Sequence, residues 1–175
     1  MLKQITDHVN VLTLDTGLLF PETNQLIETV EERFDLTVTR IKPSQTLSEQ
    51  ASTYGGPLWQ TNPDRCCQLR KTIPLDDALA GYGAWVTGLR RDQSPTRANV
   101  PIVAWDPRHN LYKLCPFATW TEDMIWTYIN AYDLPYNSLH DRGYDSIGCY
   151  TCTLAAHGRE GRWTNFNKTE CGIHV

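Results

Sequence analysis

Val9-Asn10-Val11-Leu12-Thr13-Leu14 is an apolar, β-rich run that stops at Asp15-Thr16-Gly17, which predicts a buried strand closed by a turn. Beyond Pro21-Glu22-Thr23 the apolar residues change to helical spacing, at Leu26, Ile27 and Val30. With proline in the first turn and an acid beside it, a helix starts there. Leu36-Thr37-Val38-Thr39-Arg40-Ile41 returns to strand. Strand, helix and strand at this pacing predict a βαβ unit with parallel strands. From Pro43 to Pro63 periodicity is poor, and Gly55-Gly56-Pro57 marks a loop. Pro63 or Asp64 then opens a short helix carrying Cys66, Cys67, Arg70 and Lys71. Ala84 to Gly88 and Ile102 to Trp105 read as further strands, with the polar loop Arg90 to Arg97 between them. That loop follows a strand's carboxyl end, where open α/β sheets bind ligands. Thr121 caps a last helix, with Glu122 and Asp123 in its first turn and Met124, Ile125, Tyr128 and Ile129 behind them. Past Asp133 the chain is rich in turns, and it opens with a helix-like Met1 to Thr6.

Bulk composition narrows the class. At 175 residues and 20.0 kDa, one domain spanning 1–175 is expected, with a core that needs no staples. A formal charge of −4 argues against nucleic acid as a partner, since such binders carry a basic surplus. No apolar run approaches the roughly 20 residues that cross a bilayer, so no membrane role is expected. The opening Met1-Leu2-Lys3-Gln4-Ile5-Thr6-Asp7 is too polar for a secretory signal, which points to the cytoplasm. Thiols stay reduced there, so cysteine spacing signals metal or catalysis before disulfides.

The six cysteines fall into groups: Cys66-Cys67, Cys115, Cys149-x-x-Cys152 and Cys171. Two close pairs supply four thiolates, a set suited to zinc or an iron–sulfur cluster. Adjacent side chains diverge, so Cys66 and Cys67 share one small ion only with strain. A four-iron cluster offers each sulfur its own iron and tolerates the adjacency; alternatively one of the pair is a buried small hydrophobe. Cys115 reads as a core residue. Cys171 lies in a polar, glycine-containing tail, 164–175, expected to be mobile, with His174 three residues on. A thiolate is a nucleophile, and neighbouring cations lower its pKa; an idle terminal thiol is the bland alternative. Arg70, Lys71, Arg90, Arg91, Arg97, Arg159 and Arg162 sit in loops or beside cysteines. Arginine's planar fork suits phosphate and sulfate oxygens, although each taken alone fits a solvated surface charge.

Taken together these stretches resemble the sulfonucleotide reductase family, the assimilatory adenylyl-sulfate and phosphoadenylyl-sulfate reductases. The matching segments are Leu14-Asp15-Thr16-Gly17 with Leu19 to Thr23, Cys66-Cys67-x-Leu69-Arg70-Lys71, and Thr87-Gly88-Leu89-Arg90-Arg91-Asp92-Gln93-Ser94. Cys149-x-x-Cys152, Gly161-Arg162-Trp163 and Lys168-Thr169-Glu170-Cys171-Gly172-Ile173-His174 complete them, in order. The resemblance implies a three-layer, adenine-nucleotide α-hydrolase-like (Rossmann-like) α/β fold with a mostly parallel sheet. It also implies adenosine 5′-phosphosulfate as substrate, AMP and sulfite as products, and thioredoxin or glutaredoxin as reductant. In the family the cysteine matching Cys171 attacks the sulfate sulfur and forms an S-sulfocysteine. Cys66, Cys67, Cys149 and Cys152 match the branch that carries a [4Fe–4S] cluster, with no electron-transfer role, and that branch favours adenylyl sulfate. Thr16, Gly17, Arg70, Lys71, Arg90, Arg91, Gln93, Arg159, Arg162 and His174 fall at substrate-binding positions, Lys71 looking like the link between cluster and substrate. A homo-oligomer stays open.

The family's serine- and glycine-containing phosphate loop and the strand before it would precede Met1. Without that first strand an unpaired edge and exposed apolar surface are expected. No GxGxxG or GxxxxGKS occurs in the chain. Other readings are a reductase of the 3′-phosphorylated substrate, a non-catalytic four-cysteine zinc module, and a nucleotide-dependent thiolation or ligation enzyme of the same fold. The resemblance gives Cys115 no role.

Overall fold

A computed structural model describes residues 1–6 and 9–174. The chain divides into two compact units. The first is assembled from residues 1–75, 148–152 and the segment from Glu170 onward, the second from 76–147 and 153–169.

The first unit contains the expected βαβ. Strand β1 (Val11–Leu14) pairs in parallel with β2 (Val38–Ile41), Val11 opposite Val38, and helix α1 (Pro21–Phe34) connects them. Pro21 occupies the first turn of α1, and Asp35 ends it in the left-handed region at φ 46°. Glu31 then accepts from the Val38 N–H at 2.7 Å, tying the helix end to the next strand.

The stretch after Pro43, which lacks apolar periodicity, is helical. Helix α2 (Leu47–Tyr54) begins with a reciprocal capping box: Thr46 Oγ1 accepts from the Glu49 N–H, and Glu49 Oε2 accepts from the Thr46 N–H at 2.7 Å. Its one buried residue is the polar Gln50, which is why no apolar stripe marks it. Short helix α3 (Leu58–Thr61) follows, then α4 (Pro63–Cys67), capped by Asn62 Oδ1 on the Arg65 N–H. The helix does not end at the cysteines. It widens into a π-turn over Gln68–Thr72 and resumes as α5 (Ile73–Leu79).

The second unit holds a three-stranded sheet, β3 (Ala84–Val86), β4 (Val103–Asp106) and β5 (Leu111–Leu114), in the order β3-β5-β4. β3 and β5 are parallel, but β4 and β5 run antiparallel. The four residues between β4 and β5 leave no room for a crossover, so they form a hairpin. The strands therefore make one parallel pair and one mixed sheet. His109 in that hairpin faces Asp106 Oδ2 at 2.7 Å and Asp76 Oδ1 at 2.8 Å, tying the turn to Asp76 within the second unit. Helix α6 (Glu122–Ala131) is capped by Thr121 as expected. Cys115 is 1% exposed and packs with Leu89 and Ala118, the core position the sequence suggested. Val103, Trp105 and Tyr112 are exposed, the last two edge to face at 5.1 Å. Among the described residues no helix is long and apolar enough to cross a membrane.

Candidate active site

The two cysteine pairs come together in the first unit. Cys66 and Cys67 are buried on the last turn of α4. Cys149 is buried opposite Leu19 in an isolated antiparallel bridge, and the Tyr150 N–H donates to the Leu18 carbonyl at 2.9 Å. A 3-10 turn over Tyr150–Cys152 returns the chain, so that the Cys152 N–H reaches the Cys149 carbonyl at 3.0 Å. The Cys66 thiol is pushed up to about 12, first by burial and then by Cys67, Cys149 and Cys152, with Arg70 opposing. The four sulfurs thus share one electrostatic environment. Among the described residues, no three His, Cys, Asp or Glu side chains are arranged to grip a single metal ion.

Below the cysteines lies the turn that ends β1. Asp15 Oδ1 accepts from the Gly17 N–H at 3.0 Å and Thr16 Oγ1 from the Leu18 N–H at 3.2 Å, a pair of local bonds that curl the backbone. Thr16, 1% exposed, also places its hydroxyl 3.3 Å from Cys149 Sγ. Arg70 fastens the turn from beneath: its Nε donates to the Thr16 carbonyl at 2.6 Å, and its Nη1 to Gln50 Oε1 at 2.9 Å and the Gln45 carbonyl at 3.2 Å. Burial lowers the Arg70 guanidinium from its usual value, while Cys66, Cys149 and Asp15 pull it back. Gly17 sits at φ +71°, and a Cβ there would meet Arg70 Nη2 at 3.2 Å, so shape and backbone both demand glycine.

The π-turn buries three successive polar side chains, Arg70, Lys71 and Thr72. A regular helix would turn one of three neighbours outward; the wider turn is what allows this, and such turns recur at functional sites. The closing tail returns to the same place. Gly172, at φ +87°, lies so close that a Cβ would come within 3.3 Å of Thr72 Cγ2. Cys171 beside it is half-buried, as is His174. Val175 lies outside the described residues.

The remaining basic positions belong to the second unit. Here the loop after β3 forms two 3-10 turns, Arg91–Gln93 and Pro95–Arg97. Gln93 Oε1 accepts from the Arg90 N–H at 3.1 Å and from Arg97 Nη1 at 2.7 Å, knotting the loop to itself. Arg91 donates through Nε to the Val100 carbonyl at 2.9 Å. A cleft of about 250 Å³ is lined by Arg90, Gln93 and Arg159, together with Trp126, His140 and Asp145. Arg91 and Arg162 are not among its walls. Arg162 lies over the Trp163 ring at 4.5 Å and donates to Ser146 Oγ at 3.1 Å. Arg159 donates to the Thr169 carbonyl at 2.8 Å.

Several participants escaped the sequence reading. Gln50 carries no signal beyond being a polar residue in a helix. Trp126, His140 and Asp145 line the cleft from α6 and the turn-rich stretch after it, where no spacing rule singles them out. Asp92 lines the same cleft, and nothing in its spacing sets it apart from its neighbours.

Comparison with known proteins bears on the family and the fold. Residues 1–155 match the profile of the phosphoadenosine phosphosulfate reductase domain. The adenosine 5′-phosphosulfate reductase of Staphylococcus haemolyticus is 50% identical across all of this chain and 74% of its own length. The adenosine 5′-phosphosulfate reductase 2 of Bacillus subtilis is 49% identical over 99% of the chain and 76% of its own. Among solved structures, the phosphoadenylyl-sulfate reductase of Candida auris in a phosphate complex superimposes with a TM-score of 0.75 at 30% identity, covering 86% of this chain and 73% of that one. An FMN adenylyltransferase of Candida glabrata reaches 0.58 at 19% identity over 89% of this chain and 46% of its own, a likeness of fold alone. Shared sequence across the whole length, and the same α/β architecture, make this chain a member of the phosphoadenosine phosphosulfate reductase family.

Proposed function

We propose that this chain reduces adenosine 5′-phosphosulfate to sulfite and AMP at the expense of thiols, in assimilatory sulfate reduction. One observation carries the reading: the half-buried Cys171 belongs to the same compact unit as four clustered cysteines and the buried cations Arg70 and Lys71. The relatives named for this substrate favour it over the 3′-phosphorylated one.

Cys171, as thiolate, attacks the sulfate sulfur; an S–S bond forms, the sulfur–oxygen bond to phosphate breaks, and AMP leaves with the electron pair. A carrier thiolate of the thioredoxin or glutaredoxin type then attacks Cys171 Sγ and expels sulfite. The carrier's second thiol resolves the mixed disulfide, so the carrier is oxidised and Cys171 returns as thiol. Both partners in the first step are negative, so the step needs positive charge around the sulfate and the departing phosphate, where it counts most in the transition state. Lys71, Arg90, Arg159, Arg162 and His174 would supply it. Thr16, Gly17 and Arg70 of the first unit, and Arg91 and Gln93 of the second, would serve at the substrate-binding positions that the family resemblance assigns them.

The donor set fits a [4Fe–4S] cluster. Four thiols that share one electrostatic environment, one of them pushed up to about 12, repel one another as thiolates unless a cation is shared among them. Adjacent Cys66 and Cys67 suit a group that offers each sulfur a separate iron over one small ion such as zinc, because neighbouring side chains diverge. When bound, the cluster would take Cys66, Cys67, Cys149 and Cys152 as thiolates and give Arg70 and Lys71 a negative group to balance. A cytoplasmic setting agrees with six free cysteines.

Protein purified under argon should be brown, with broad absorbance near roughly 400 nm from thiolate-to-iron charge transfer. Cys171→Ser should keep that colour and release no sulfite from adenylyl sulfate with a thioredoxin system. Colourless protein holding stoichiometric zinc would remove the cluster, and a serine variant that still forms a sulfite-releasing intermediate would remove Cys171 as nucleophile.

A further inference from the structure

The cleft of the second unit carries a charge pattern at odds with simple anion attraction. Two arginines, Arg90 and Arg159, face three carboxylates, Asp92, Glu122 and Asp145; with the histidines neutral the sum is 2 − 3 = −1. Asp145 is occupied locally, its Oδ2 accepting from the Gly158 N–H at 2.8 Å and facing His157 Nδ1 at 2.9 Å. Asp92 is occupied differently. Its Oδ1 accepts from Arg90 Nε at 2.9 Å, and its Oδ2 from the Glu122 N–H at 2.7 Å. That second bond falls on an otherwise orphaned donor at the start of α6.

We infer that Asp92 is a positioning residue, bolted to the first turn of α6, that fixes the Arg90 guanidinium for binding the anionic end of the substrate. The inference deepens the function proposed above and rests on it. Arg90 uses Nε for Asp92, and among the described residues neither terminal amino group is bonded, which leaves the fork that pairs with two oxygens of a phosphate or sulfate. Its side chain is only 14% exposed. A free arginine loses much rotamer freedom when it grips a ligand; one already clamped through Nε has lost it on folding. Asp92 therefore helps an anion bind through Arg90 although its own charge repels that anion. The two effects have opposite signs, which makes the inference easy to test.

Adenylyl sulfate binding is measured by calorimetry on the cluster-loaded chain with Cys171→Ser, which blocks turnover. Asp92→Asn keeps an oxygen for the Glu122 N–H and loses the charge that holds Arg90. Loss of a preorganised, charge-assisted contact should weaken binding about ten- to thirtyfold. In an Arg90→Ala background the same change should move Kd by less than about twofold, because neighbours that act through one another are not additive. Nitrogen-resolved NMR should show the Arg90 Nε–H signal protected in the parent and lost in Asp92→Asn, with the Glu122 amide still protected. Equal or tighter binding by Asp92→Asn would overturn the inference, as would full additivity with Arg90→Ala. If the parent binds no adenylyl sulfate, the function proposed above fails and takes the inference with it. The Arg90 signal reports on the clamp in either case.

Discussion

Replacing Arg70 by leucine tests whether the turn after β1 is held from below. The side chain is 4% exposed and makes three hydrogen bonds. The Gln45 carbonyl it contacts is only part-buried and can turn to water. The Thr16 carbonyl and Gln50 Oε1 cannot, because Thr16 is 1% and Gln50 2% exposed. Each bond to a charged donor is worth about 1.5–3 kcal/mol, so the two together amount to about 3–6 kcal/mol. Removing a buried cation recovers part of its desolvation cost, which places the loss near the lower end, about 3 kcal/mol. With a urea slope of about 2 kcal/mol per molar, the unfolding midpoint of the metal-free chain should fall by roughly 1.5 M. Gln50→Leu provides the contrast. It forfeits one acceptor for Arg70 but also deletes Nε2, a buried donor with no hydrogen-bond partner among the described residues, so its midpoint should move by less than about 0.5 M. An Arg70→Leu midpoint within 0.5 M of the parent (about 1 kcal/mol) would refute the keystone role.

Other outcomes follow from single residues. Gly172→Ala puts a Cβ on a backbone at φ +87° and against Thr72 Cγ2, and should lower stability by about 1–2 kcal/mol in thermal unfolding, with most of the strain in the tail. Glu49 is held below its usual pKa first by the Thr46 backbone N–H and then by the Thr46 side chain. Its depressed folded value means the contribution is present above the ordinary carboxylate range and lost as pH falls through the folded value. Amide exchange at the start of α2 should therefore accelerate below about pH 4, and Glu49→Gln should flatten that dependence. Cys149→Ser should cut iron per chain and absorbance near roughly 400 nm together; iron content equal to the parent's would take Cys149 out of the cage.

The βαβ start was readable because each signal was local and apolar: Val11 to Leu14, the Pro21 helix start, and Val38 to Ile41. Helix α2 is not read from the sequence: its buried position is Gln50, so periodicity has nothing to detect, and its one local signal is the capping pair Thr46-x-x-Glu49. The antiparallel turn of β4 and β5 lies in the shortness of their connection, not in strand composition. Both cysteine pairs stand out by spacing alone, whereas Arg90 and Arg159 stand out only through their loop positions and the family resemblance. How the cations are used does not: Arg70 spends a hydrogen bond on the Thr16 carbonyl, 54 residues away in sequence, which no window of residues reveals. The π-turn is equally silent, because it answers a packing demand on Arg70, Lys71 and Thr72.

The patchwork make-up of the first unit has a consequence for biosynthesis. A ribosome delivers Cys66 and Cys67 first, and their proposed partner Cys149 emerges 149 − 67 = 82 residues later. At about 5–20 residues per second that interval lasts some seconds, during which half of the sulfurs are made and lack the other half. If the four cysteines hold a cluster as proposed, it cannot close until Cys149 and Cys152 have emerged, and a chain cut short before them would expose Cys66 and Cys67 with no way to enclose metal.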